Sequence, residues 1–120
     1  MVRRDMRVEW AGDAAVVALV GEHDAFTAER LQHTLDELLN QPASIVIDFG
    51  EATFVDSTTV TTLLNARRRA NDSGVALALA VPPSSGAYLR RLFDTAQLDT
   101  IFSIHASREA ALAALRRELL

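Results

Sequence analysis

The sequence predicts an α/β domain, a mixed sheet of about five strands with about four helices packed over it. Three observations carry that expectation. Segments with a helical apolar period alternate with short apolar, β-branched runs. Those runs show little polar alternation, so they suit strands covered on both faces. Gly12-Asp13 sits between the first two runs as a two-residue hairpin signal, which adds one antiparallel edge to the sheet.

The elements follow in order. Val8, Trp10 and then Ala14 to Val20 read as the two strands of that hairpin, with Gly21 stopping the second. From Ala28 to about Asn40, Leu31, Leu35, Leu38 and Leu39 form one stripe, and Glu29, Arg30, His33, Asp36 and Glu37 lie off it. Asp24 or Thr27 can cap this helix, and Asn40 with Pro42 ends it. Ile45 to Phe49 is a buried strand, and Ala52 to Val55 is extended. Val60, Leu63, Leu64 and Arg67 then predict a helix over about 58–70, although Ser57 to Thr62 are poor helix formers. Asp56 or Ser57 serves as its N-cap, the place where such side chains do favour a helix.

Asn71-Asp72-Ser73-Gly74 stops the helix, and Val75 to Val81 is another buried strand. Pro82-Pro83 ends that strand, and Ser84 or Ser85 caps a helix bearing Leu89, Leu92 and Phe93. Ile101 to Ile104 is the last strand. Ser107 caps a final helix with Leu112, Leu115 and Leu119 on one stripe. No linker or internal repeat interrupts the chain, so residues 1–120 are expected to form one domain.

Composition narrows the chemistry. The 120 residues include no cysteine, which excludes disulfides, thiolate nucleophiles and Cys-based metal centres. All 12 cationic residues are arginine, so neither Schiff-base chemistry nor a phosphate-loop lysine is available. A formal net charge of −4 and dispersed acids argue against direct nucleic-acid binding. Arg67-Arg68-Arg69 reads as a solvated helix end. No apolar stretch reaches the roughly 20 residues of a membrane span, and no apolar segment follows the charged N-terminus. Membrane insertion is not expected, and a cytoplasmic location is.

Candidate sites thin out quickly. Ser57 lacks a G-x-S-x-G elbow, and His23, His33 and His105 are scattered, so a catalytic triad is not indicated and no enzymatic activity is expected. Glu22-His23-Asp24 are consecutive, and neighbours on an extended chain face opposite ways, so they do not converge on a metal. The five glycines gather into no phosphate-cradling loop, and no cofactor is expected. What survives is Asp56-Ser57-Thr58-Thr59 at a strand-to-helix junction. Local chemistry leaves two readings of it. One is a capping cluster alone. The other is an exposed hydroxyl at a helix start, where amide donors and the dipole tolerate an added phosphate.

Three segments carry a resemblance. Gly21-Glu22-His23-Asp24 after a strand, Phe54-Val55-Asp56-Ser57-Thr58 before a helix, and Leu89-Arg90-Arg91-Leu92-Phe93-Asp94 before Leu98 together resemble the STAS domain family. Within it, they are most similar to bacterial anti-sigma factor antagonists. The resemblance spans about residues 6–118 and implies a sheet with helices packed mainly on one side.

It also implies a mechanism. Unphosphorylated antagonists bind an anti-sigma factor that is a GHKL-type serine kinase, and so release a sigma factor. Phosphorylation of the serine after the motif aspartate inactivates them, and a PP2C-type phosphatase reverses it. Carried onto this chain, the acceptor is Ser57, with Thr58 second, and the partner-binding residues are Glu22, Asp24, Asp56, Thr58 and Thr59. Thr59 stands where the family usually has glycine, adding bulk and a stiff χ1 in the first turn. STAS domains also serve as scaffold subunits of stress-signalling complexes and of membrane transporter assemblies, which is the alternative function. The sequence leaves a homodimer open.

Overall fold

The leading hairpin forms as its turn residues direct. Strand β1 (Arg4–Ala11) pairs antiparallel with β2 (Ala14–His23) around Gly12-Asp13, in a computed structural model that describes residues 3–41 and 44–118. Helix α1 (Ala25–Leu39) and strand β3 (Ser44–Val55) follow, then α2 (Ser57–Ser73) and β4 (Leu77–Ala80). Helix α3 (Ala87–Thr95), strand β5 (Ser103–His105) and helix α4 (Arg108–Glu118) complete the order. The sheet runs β1-β2-β3-β4-β5, with β2 to β5 mutually parallel.

Strand register sorts the core into two faces. The row Val8–Val17–Ile47–Leu79–Ile104 lies on the first. Buried Leu31, Leu35 and Leu38 of α1, Leu63, Ala66 and Ala70 of α2, and Leu89 and Phe93 of α3 pack there. Burying each leucine stabilises the fold by about 2 kcal/mol. Phe93 also meets Phe49 edge-on, with ring centroids 5.2 Å apart, fixing α3 against β3.

The second face carries the row Glu9–Val16–Val46–Ala78–Ser103 and, beside it, Arg7–Ala18–Asp48–Ala80–His105. Among the described residues, α4 alone of the helices packs on it, through Ala111 and Leu115. Towards β1 an ionic layer takes over. Arg7 bonds Glu51 at 2.5 Å and Glu9 at 3.3 Å, and Arg108 bonds Asp48 at 2.9 Å and also reaches Glu9. Three helices on one face and one on the other agree with the expected mixed sheet of five strands and four helices.

Four local expectations are corrected. Gly21 does not stop β2, which continues to His23. At φ +79° it holds a conformation that disfavours a side chain, and a Cβ there would lie 1.9 Å from the Arg3 carbonyl oxygen. The glycine thus lets the strand bend past β1 instead of ending it. The two segments expected around Gly50 form one strand, because β3 advances from Asp48 to Glu51 while β2 advances from Ala18 to Val20. That bulge is closed by the Gly50 amide donating to Asp48 Oδ1 at 2.8 Å.

Neither Ser84 nor Ser85 caps α3. They lie in a short 3-10 turn, Pro83–Ser85, and Gly86 at φ +99° starts the helix. The last strand begins at Ser103 because Leu98–Thr100 forms another 3-10 turn and Phe102 is buried. Ser107 does cap α4, its Oγ accepting from the Ala110 amide at 3.0 Å. Pro42 and Leu119 lie outside the described residues.

Candidate functional site

The C-terminal ends of β2 and β3 stop side by side, paired at His23 and Val55, and each is followed at once by a helix. Two helix N-termini therefore open at one end of the sheet, each with its positive dipole end and free amides. An aspartate caps each. Asp24 Oδ1 accepts from the Phe26 amide at 3.0 Å, and Thr27 Oγ1 accepts from the Asp24 amide at 3.1 Å, which closes a capping box. Asp56 Oδ1 accepts from the Thr59 amide at 3.1 Å.

His23 joins the two caps. Its backbone carbonyl accepts from the Asp56 amide at 3.1 Å and from Thr59 Oγ1 at 3.2 Å. Its ring is buried, with Nε2 donating to the Val20 carbonyl at 3.2 Å. Nδ1 lies 3.1 Å from Thr27 Oγ1, whose hydroxyl also donates to the Asp24 carbonyl at 3.2 Å. Burial lowers the ring's pKa, against the opposing pull of the Val20 and Asp5 backbones and the Asp24 charge.

The expected site residues divide by exposure. Ser57 and Thr58 are exposed on the first turn of α2, and their carbonyls accept from Thr61 and Thr62 hydroxyls at 3.0 and 3.1 Å. Asp24, Asp56 and Glu22 are half-buried. Thr59 is not at the surface as expected. It is 0% exposed, its Oγ1 tied to His23 and lying 3.3 Å from Asp56 Oδ1. The residue in the glycine position is thus a buried hydroxyl that stitches α2 to β2. The described residues hold no group of three metal-ligating side chains.

Two features went unread in the sequence. Tyr88 of α3 donates to the Val55 carbonyl at 3.0 Å and stacks on Phe54 with centroids 5.3 Å apart, bracing the end of β3. Arg4 bonds Asp24 Oδ2 at 3.0 Å and sits 6.0 Å from the ring of Phe26, which is 87% exposed. Partial desolvation of the Asp24 carboxyl works the other way, but Arg4 and the Phe26 and Thr27 amides hold its pKa below the ordinary range. One signal for His23 was present: counting by twos from Ala15 through Val17, Leu19 and Gly21 brings His23 onto the core face.

The family model described as "Mlab, STAS domain" matches residues 6–117. The chain belongs to the STAS domain family. Solved structures share its fold at low identity. An anti-sigma factor antagonist from Mycobacterium paratuberculosis is 23% identical with a TM-score of 0.85, and 95% of each chain is covered. The anti-sigma factor antagonist SpoIIAA in its unphosphorylated form is 23% identical with a TM-score of 0.78, covering 93% of this chain and 96% of that one. The Bacillus cell fate determinant SpoIIAA in its phosphorylated form is 22% identical with a TM-score of 0.71, covering 92% and 99%. No curated protein matches significantly. Among the described residues, no helix of this STAS domain is long and apolar enough to cross a membrane.

Proposed function

We propose that this STAS domain is an anti-sigma factor antagonist whose docking surface is the first turn of α2 and the neighbouring end of β2, and that phosphorylation of Ser57 switches it off. The observation that carries the reading is the contrast within one turn. Ser57 offers an exposed hydroxyl, while Asp56 and Thr59 on either side are engaged in holding the helix start. A kinase can reach Ser57 without disturbing the fold. The added ~−1.5 to −2 charges meet the α2 dipole favourably and face Asp56 and Asp24 unfavourably, which alters the docking surface more than the core. The unphosphorylated and phosphorylated forms known for SpoIIAA support the same two-state logic.

The partner on this reading is an anti-sigma factor with a GHKL-type serine kinase domain, and a PP2C-type phosphatase resets the switch. Glu22, Asp24, Asp56 and Thr58 frame the contact, and Thr59 supports it from below. Thr58 is the second acceptor. Incubation with the cognate kinase and ATP is expected to label the wild type and not Ser57→Ala. Undiminished labelling of Ser57→Ala would remove Ser57 from this role.

The STAS resemblance also carries a second reading, a scaffold subunit of a stress-signalling complex or of a membrane transporter assembly. Affinity capture from the native cell separates the two. Recovery of a transporter ATPase with no kinase would support the scaffold.

A further inference from the structure

The outer edge of β1 is a separate recognition surface, and we propose that it binds the same edge of a second copy of this chain, antiparallel about a two-fold axis at Val8. The two sheets then become one continuous ten-stranded sheet.

Backbone direction sets the first condition. The Arg3 carbonyl accepts from the Glu22 amide at 2.8 Å, so odd-numbered residues of β1 turn their polar groups towards β2. Met6 turns away. Its amide donates to Asp5 Oδ1 at 2.8 Å, and its carbonyl accepts from Arg30 at 3.5 Å. By alternation Val8 and Trp10 present free ladder groups on the open side and Met6 presents its locally bonded pair there, so two copies pair even residues with even. An incoming strand replaces the two local bonds at Met6.

Side-chain chemistry and strand length together select one register from four. Centring on Met6 also sets Arg7 opposite an acid, Asp5, but pairs only residues 4–8 of β1, whereas centring on Val8 pairs residues 5–11. Centring on Arg7 sets that arginine opposite itself and Glu9 opposite Asp5. Centring on Glu9 sets two glutamates opposite each other. Centring on Val8 sets Arg7 opposite Glu9 twice, in the more closely spaced class of cross-strand pair. In the same register Val8 meets Val8 and Met6 meets Trp10 on the other face.

Exposure agrees with that register. Val8 is 42% and Trp10 52% exposed on the face that buries Met6, an apolar stripe on an eight-residue edge strand that contains no proline. Arg7 and Glu9 are already oriented by Glu51 and Arg108. Pairing would extend these contacts into a charge row running from one copy to the other.

Charge exchange tests the pairing directly. Sedimentation velocity over rising concentration is expected to show a wild-type dimer, with a blue shift of Trp10, the only tryptophan. Arg7→Glu and Glu9→Arg are each expected to weaken self-association on the order of ten-fold or more. Mixed one to one they should form a heterodimer, because one chain then carries two acids at positions 7 and 9 and the other two arginines. Val8→Pro, whose amide points away from β2, keeps the internal ladder and should be monomeric. A wild type that stays monomeric to its solubility limit overturns the proposal. So do dimers that survive in Val8→Pro or in both charge variants alone, or folded variants that fail to associate on mixing. Capture of an extended peptide from another protein by a monomeric wild type would assign the edge to that partner instead.

Discussion

Thr59 shows why a β-branched residue is stable in the first turn of α2. Its hydroxyl reaches the His23 carbonyl and its side chain is fully buried, so the poor helix propensity is offset by a tether between strand and helix. Thr59→Val keeps the shape and loses the tether, and urea denaturation is expected to show a loss of about 1 kcal/mol. Thr59→Gly also loosens the backbone and should cost on the order of 2 kcal/mol. A Thr59→Val protein as stable as wild type would contradict the tether.

His23 gives the same junction a pH dependence. Its folded pKa lies below the ordinary 6.5, so the unfolded chain takes up the proton first. Its contribution is complete above that value and is lost as pH falls towards the lower folded pKa. The urea midpoint should therefore drop more for wild type than for His23→Gln between about pH 7 and about pH 5. Equal drops would show that the imidazole is not the group responsible. Ser57→Ala, by contrast, alters an exposed side chain and should shift stability by no more than about 0.5 kcal/mol, so its loss of labelling reports the hydroxyl and not the fold.

At the scale of elements, β2 is the piece on which the site depends. Its passage through Gly21 brings His23 to the mouth of both helices. Gly21→Ala places a Cβ against the Arg3 carbonyl and strains a positive φ, so a loss on the order of 2 kcal/mol is expected, with faster hydrogen exchange at the Glu22 amide. Unchanged exchange at Glu22 would mean that the strands accommodate the methyl group.

The legibility of the elements followed the strength of their local signals. The leucine stripe of α1 could be read directly and the α2 cap narrowed to Asp56 or Ser57, because period and capping are local properties. The continuation of β2 and the fusion of β3 could not. The first depends on Gly21 meeting the Arg3 backbone from elsewhere in the chain, and the second on the register in which β3 pairs with β2, neither of which the sequence shows. Strand β5, with three residues, carries too little pattern to mark its start. Motif resemblance singles out Ser57 as the proposed acceptor, whereas the burial of Thr59 is a tertiary fact that no spacing reveals.

For the whole molecule, the arrangement of helices explains where recognition can occur. Helices α1, α2 and α3 cover one face of the sheet, and α4 with the Arg7, Glu9, Arg108 and Asp48 ion pairs covers the other. The ends of the parallel strands stay open, the position where α/β sheets usually carry their sites. A switch built there can change its surface charge without repacking the core. The most direct test is calorimetric titration of the cognate anti-sigma kinase with unmodified protein and with protein carrying phosphoserine at position 57. Phosphorylation is expected to weaken binding on the order of ten-fold or more; equal affinity of the two forms would contradict the switch.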